Sequence, residues 1–273
     1  MASASEEDSH ASWTLFGGEK GWNADDWTSS DDRVRGGKSE SFLECGEKTA
    51  RFNGVLDIKT LGGAGFASQR TTGDERKWDL SKFNGIKLDV TKGDKKRYTL
   101  ILKDTILPRD PKTGREQSTI SWECDFELSP QDQPDDTSDK SVYIPFASLN
   151  PTYRGKLAKD ASPLDASNIK RISIMNRSFF GAQEGAFSIT FRSITAESKA
   201  PKHTSCLKLY SHEETTGFEK IGSIEANNLA RHAETANANG QFVRKVLWAA
   251  TVCALVGFAG VFQAVWLGWI PLQ

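Results

Sequence analysis

Along the first two thirds of the chain, apolar residues recur at every second position, the period of a β-strand with one face buried. Ala50, Phe52, Leu56 and Ile58 fall in one phase, followed by Ile86, Leu88 and Val90, and then by Tyr98, Leu100 and Leu102. The longest run is Ile120, Trp122, Cys124, Phe126 and Leu128. After it come Val142, Ile144 and Phe146, then Ile172 and Ile174, then Phe187, Ile189 and Phe191. Turn residues separate the runs, among them Asn84-Gly85, Lys92-Gly93-Asp94 and Gln183-Glu184-Gly185, and no long helical period lies between them. The pattern predicts an all-β domain built as an antiparallel sandwich of two sheets.

The flanks read differently. Residues 1–12 carry Glu6, Glu7 and Asp8 and no arginine, so they read as a disordered N-terminus with no visible presequence. Trp13, Phe16, Trp22 and Trp27, set among Gly17, Gly18 and Gly21, predict an irregular opening segment whose rings pack in the core or at its rim. Two polar stretches, Pro108 to Gly114 and Ser129 to Lys140, read as exposed loops. The sandwich is expected to occupy residues 13–197. After it, residues 198–245 read as a polar linker with a short helix around Glu219 to Ala236. The 25 residues from Val246 to Ile270 carry no charge. At ~1.5 Å per residue they are long enough to cross a ~30 Å hydrocarbon core as a transmembrane helix. Arg244 and Lys245 precede this stretch, and Trp248, Trp266 and Trp269 lie near its ends. Basic flanks stay cytoplasmic, so the expected chain is tail-anchored, with its domain facing the cytosol at the endoplasmic reticulum or the mitochondrial outer membrane.

Composition narrows the chemistry. With 35 basic and 36 acidic residues the net charge is -1, which gives no electrostatic case for nucleic acid. The four cysteines, Cys45, Cys124, Cys206 and Cys253, show no Cys-x-x-Cys spacing and suit a reducing compartment. His10, His203, His212 and His232 all fall outside the segment from Trp13 to Glu197. Ser-His and Cys-His catalysis and His-ligated zinc are thereby removed from the domain, while carboxylate or lysine chemistry stays open. No glycine-rich dinucleotide or P-loop motif is present, and neither a cofactor nor a metal is expected.

The stretch Asp31-Asp32-Arg33-Val34-Arg35-Gly36-Gly37-Lys38-Ser39 is dense in groups that need a defined backbone and offers nothing to an apolar core, so it predicts a structured loop. Similar glycine-bearing motifs lie beside later strands. They are Phe52-Asn53-Gly54, Gly62-Gly63-Ala64-Gly65-Phe66-Ala67-Ser68-Gln69-Arg70, Gly85-Ile86, and Gly93-Asp94 before Arg97-Tyr98. Pro145-Phe146 followed by Tyr153-Arg154-Gly155, and Gly185-Ala186-Phe187, complete the series. In this order, from about Trp13 to Ala196, the series resembles the complex I intermediate-associated protein 30 family. The resemblance implies a galactose-binding-like jelly roll and a non-enzymatic assembly factor, or chaperone-like binding protein, for a membrane complex, notably respiratory NADH dehydrogenase. It also implies membrane-protein or assembly subunits as partners and a mitochondrial inner-membrane or matrix location.

Candidate binding residues are Asp32, Arg35, Gly36, Gly37, Ser39, Arg70, Arg154 and Gly155. The guanidinium groups offer a bidentate fork either to a ligand carboxylate or to an internal ion pair, and both readings stand. Asp25, Asp26, Asp31 and Asp32 are either solvated acids or oxygen ligands for calcium. A rival class is a carbohydrate-binding module in which Trp22, Trp27 or Trp122 stacks on a sugar, and a third is a hydrolase using paired carboxylates. Asn176-Arg177-Ser178 is a glycosylation sequon that a cytosolic domain leaves unmodified.

Overall fold

The computed structural model describes residues 10–128, 140–200 and 208–210. The expected helices at 219–236 and 246–270, most of the 129–140 loop and most of the linker lie outside the described residues. Among the described residues, no helix is long and apolar enough to cross a membrane.

In chain order the strands are β1 (Ser12–Gly17), β2 (Trp27–Ser29), β3 (Glu40–Cys45), β4 (Ala50–Leu56) and β5 (Phe66–Thr71). They continue with β6 (Gly85–Gly93), β7 (Arg97–Lys103), β8 (Ser121–Glu127), β9 (Lys140–Pro145) and β10 (Asn150–Tyr153). The last four are β11 (Lys156–Leu157), β12 (Arg171–Arg177), β13 (Gly185–Glu197) and β14 (Lys208–Tyr210). One sheet runs β3-β4-β13-β6-β9, with β1 also paired to β13. The other runs β11-β10-β8-β7-β12-β5-β2, with β14 paired to β8. The expected antiparallel two-sheet sandwich is what forms, and β14 brings part of the segment read as linker onto the second sheet.

Each alternating run supplies the inward face of one strand. Phe52 and Leu56, Ile86, Leu88 and Val90, Tyr98, Leu100 and Leu102, and Ile172 and Ile174 are all buried in one continuous core. In β13 the inward positions change phase, from Phe187, Ile189 and Phe191 to Ile194 and Ala196. The register against β6 shifts between Phe191 and Ser193, which marks a bulge, and an extra residue moves every later side chain to the opposite face. A strict period of two therefore stops at Phe191, although the strand continues to Glu197. A second bulge, between Thr14 and Phe16, does the same in β1, so Leu15 and Phe16 are buried in succession; the start of the segment read as irregular is a strand, and the part from Gly18 to Asp26 is loop with two 3-10 turns.

The Asp31 to Ser39 stretch is the structured loop its composition predicts, with a 3-10 turn over Asp32–Arg35. Its two carboxylates join the sheets at one edge of the sandwich. Asp31 accepts the Ser41 N–H of β3 at 3.1 Å, the Ser41 hydroxyl at 2.6 Å and the Ser68 N–H of β5 at 2.9 Å. Asp32, fully buried, accepts the Ser39 N–H at 3.1 Å, the Ser39 hydroxyl at 2.7 Å and the Phe66 N–H of β5 at 3.1 Å. Gly36 ends the turn in the left-handed region at φ 83°, where glycine is at ease. Gly37 has a different reason, because a Cβ there would land inside the Asp32 carboxylate.

Removing the Asp32 carboxylate leaves the Ser39 and Phe66 N–H groups without an acceptor, while the Ser39 hydroxyl keeps the Asp57 carbonyl at 3.3 Å, and each group left unmade costs roughly 1–3 kcal/mol. Asp32→Ala is accordingly expected to lower stability by ~3 kcal/mol and Gly37→Ala by ~2 kcal/mol through overpacking. Lys38→Ala, on the exposed side of the loop, should stay within ~0.5 kcal/mol. Urea unfolding midpoints check this, and an unchanged midpoint for Asp32→Ala would show that the carboxylate does not hold the sheets.

Candidate functional site

The inward residues of β7, β8 and β12 fix what the same strands present on the other face. Opposite Leu100, Cys124 and Ile174 stand Arg97, Thr99, Ile101 and Lys103 on β7, Glu123, Asp125 and Glu127 on β8, and Arg171, Ser173, Met175 and Arg177 on β12. Register brings opposite charges together where Arg97 stands across from Glu127, and it sets the Thr99 hydroxyl across from Asp125. It also places like charges side by side, with Arg171 across from Lys103, and it sets Arg70 of β5 across from Ser173, two residues along β12 from Arg171.

Two charge clusters result. In the first, Arg177 donates to Glu123 at 2.9 Å and to both oxygens of Asp125 at 2.7 and 2.8 Å. Thr99 donates to Asp125 at 2.6 Å and Thr152 to Glu123 at 2.8 Å. The Phe179 ring lies under the guanidinium groups of both Arg97 and Arg177, at 4.6 and 4.9 Å. Because one guanidinium engages both carboxylates, Glu123 and Asp125 act as fixed acceptors and are poorly placed for the proton transfer a glycosidase pair performs.

The second cluster gathers Arg70, Lys103 and Arg171. Among the described residues Arg171 is the largest fully buried side chain, at 1 % exposure. It is ion-paired to Glu116 and, at 2.9 Å, to Asp74. Arg70 reaches the same Glu116 at 3.3 Å. Burial first, and then the charge of Arg171, holds the Arg70 guanidinium below its usual range. Burial likewise lowers the Lys103 ammonium, with Glu116 opposing and Arg171 adding to the shift. Lys103 donates to Thr119 at 3.0 Å. Beside Thr119 opens a cavity of about 490 Å3, lined by Asp104, Leu107, Ser118, Trp122, Tyr153, Asp165 and Asn168 among others.

The candidate residues from the sequence separate into three places. Asp32, Gly36, Gly37 and Ser39 build the junction between the sheets, and exposed Arg35 lies over the Phe66 ring at 5.4 Å. Arg70 belongs to the second charge cluster, in the internal ion pair that was one of its two readings. Arg154 and Gly155, at φ 54° and 78°, make the two-residue turn between β10 and β11 beside the cavity, where Arg154 donates to Ser118 at 3.2 Å.

The packing bears on the other readings. Trp27 and Trp122 are 6 % and 7 % exposed, half-buried Trp22 stacks on Phe16 while donating to the Arg192 carbonyl, and of the three Trp122 lines the cavity. Asp31 and Asp32 are taken by N–H and O–H donors and Asp26 pairs with Arg76, so the four acids do not converge as a calcium cage. Asn176 is buried, and its amide donates to the Arg97 carbonyl, which puts the sequon out of reach in the folded chain. The alternation itself carried a signal for the residues that were passed over. Lys103, Glu123, Asp125, Arg171 and Arg177 occupy the off-phase positions of strongly apolar strands, yet nothing local tells which pairs with which.

Arg177→Ala would leave two buried carboxylates without their cation and is expected to cost ~3 kcal/mol or more. Arg154→Ala, on an exposed turn, should cost under ~0.5 kcal/mol. Denaturant titration of both variants checks the contrast, and similar midpoints would remove the cluster's structural weight.

Comparison with known proteins completes the site. The family model described as Complex I intermediate-associated protein 30 (CIA30) matches residues 15–191. An uncharacterized protein of Schizosaccharomyces pombe is 44% identical over 189 residues, covering 67% of this chain and 82% of its own length. Among solved structures, a family 11 carbohydrate-binding module of a Clostridium thermocellum cellulosomal cellulase aligns at 17% identity and a TM-score of 0.43, covering 71% of this chain and 98% of that module. An agarase aligns at 12% identity and a TM-score of 0.38, covering 69% of this chain and 25% of its own. Likeness at this level bears on neither ligand nor activity. The family model spans more than half of the chain and takes in both the sheet junction and the charged face, and the chain belongs to the Complex I intermediate-associated protein 30 family.

Proposed function

We propose that this protein is a non-enzymatic assembly factor that holds subunits of a membrane complex, by family the respiratory NADH dehydrogenase, while the complex is being put together. The observation that carries the reading is the family match over residues 15–191, since the family is associated with complex I assembly. Along the charged face of the second sheet Arg97, Glu127 and Arg177 stay partly exposed as paired charges of both signs, which suits a polar contact that can be released. In the same reading residues 246–270 anchor the chain in a membrane, with residues 198–245 as the connection.

Affinity capture of the full-length chain from detergent-solubilised mitochondrial membranes should recover partly assembled NADH dehydrogenase subunits. Recovery of only the finished complex, or of no membrane-protein subunit, would count against the reading. The anchor is checked separately. The full chain should resist alkaline carbonate extraction, and a chain ending before Val246 should be released as folded protein. Extraction of the intact chain as a peripheral protein would remove the anchor.

A further inference from the structure

The second charge cluster sets three cations against acids that its own strands do not supply. Its three cations stand on three adjacent strands of one sheet, Arg70 on β5, Arg171 on β12 and Lys103 on β7, and register holds them on one face. The acids that answer them come from loops. Asp74 lies between β5 and β6 and is half exposed, while Glu116 lies in the segment between β7 and β8. Glu123, the other acid whose charge reaches Lys103, is already held by Arg177 and Thr152. The Nε of Arg171 is buried and has no hydrogen-bond partner among the described residues.

Glu116 sits where an external oxyanion would sit, with one oxygen on Arg171 and the other on Arg70. Planar guanidinium groups recognise carboxylate and phosphate through the same pairs of N–H donors. The segment that carries Glu116 also forms a wall of the 490 Å3 cavity, through Asp104, Leu107, Ser118 and Thr119, so it has space beside it. With Glu116 withdrawn and Glu123 held by Arg177, Asp74 is the acid still paired to the three cations, which leaves two positive charges to which Arg109 adds its field at Arg70. A dianion matches that charge, which a single carboxylate does not.

We propose that Arg70, Lys103 and Arg171 form a binding site for a dianionic oxyanion, inorganic phosphate or a phosphate monoester, which Glu116 occupies from within the chain as a competing internal ligand. In the resting protein Glu116 satisfies the buried cations. A phosphate group displaces it and brings the Arg171 Nε an acceptor that Glu116 does not supply.

The test titrates the full-length chain with inorganic phosphate at pH 8, where phosphate is dianionic, with chloride as the control at matched ionic strength. Calorimetric affinity and the rise in melting temperature are the readouts, since a ligand bound only by the folded state raises its apparent stability. Glu116→Gln should bind phosphate at least ~10-fold more tightly than wild type, and adding Arg70→Met to that variant should remove the gain. Asp74→Asn, which keeps Glu116 in place, should tighten phosphate binding ~3-fold and stands in should Glu116→Gln fail to fold. Repeating the titration with glycerol phosphate separates the sources, because a monoester site binds it at least as well as free phosphate and a site for inorganic phosphate does not. Equal effects of phosphate and chloride, or no gain in either variant, would overturn the proposal and leave Glu116 as an internal ion pair only.

Discussion

Two neighbouring carboxylates hold this sandwich closed. The N–H groups of Ser41 on β3 and of Phe66 and Ser68 on β5 belong to different sheets, so no backbone ladder can pair them across the gap. Buried N–H groups must nevertheless be satisfied, and a carboxylate with two oxygens can take donors from both sides at once. Asp31 does this between β3 and β5, Asp32 ties Ser39, just before β3, to Phe66 of β5, and because these hydrogen bonds are charge-assisted they are stronger than backbone pairs. The absence of a side chain at Gly37 follows from this, since the space a Cβ would need is filled by the Asp32 carboxylate. So does the position of β5, which sets Arg70 across from Ser173 of β12 and hence beside Arg171.

The charged face of the second sheet shows how far charge can be buried when carboxylates stand against the guanidinium groups. Desolvating an arginine or an aspartate is costly, and the cost is met only by partners of good geometry. Around Arg177 the partners come from strands β7, β8 and β10, so their geometry is as rigid as the sheet itself. Around Arg171 they come from loops, and the geometry can change when a loop does. The first arrangement secures the domain, while the second leaves cations that can exchange one anionic partner for another. Both lie within the span that marks membership of the Complex I intermediate-associated protein 30 family.

Period two is a local property, set by the pleat of a single strand, and so the chain by itself determined which residues face the core, the all-β class and the structured nature of the Asp31 to Ser39 loop. It was silent where a bulge changes phase, as in β1 and β13, because one inserted residue breaks the count without breaking the strand. It also passed over β5, whose buried positions are largely polar, Ser68, Gln69 and Thr71, since a buried polar residue is recognisable only with its partner in place. The tertiary structure alone decided those partners. Asp32 meets Phe66 across 34 residues, Arg171 meets Glu116 across 55, and Arg171 meets Asp74 across 97. Strand register and loop closure make these encounters, and neither is written in the neighbourhood of any one residue.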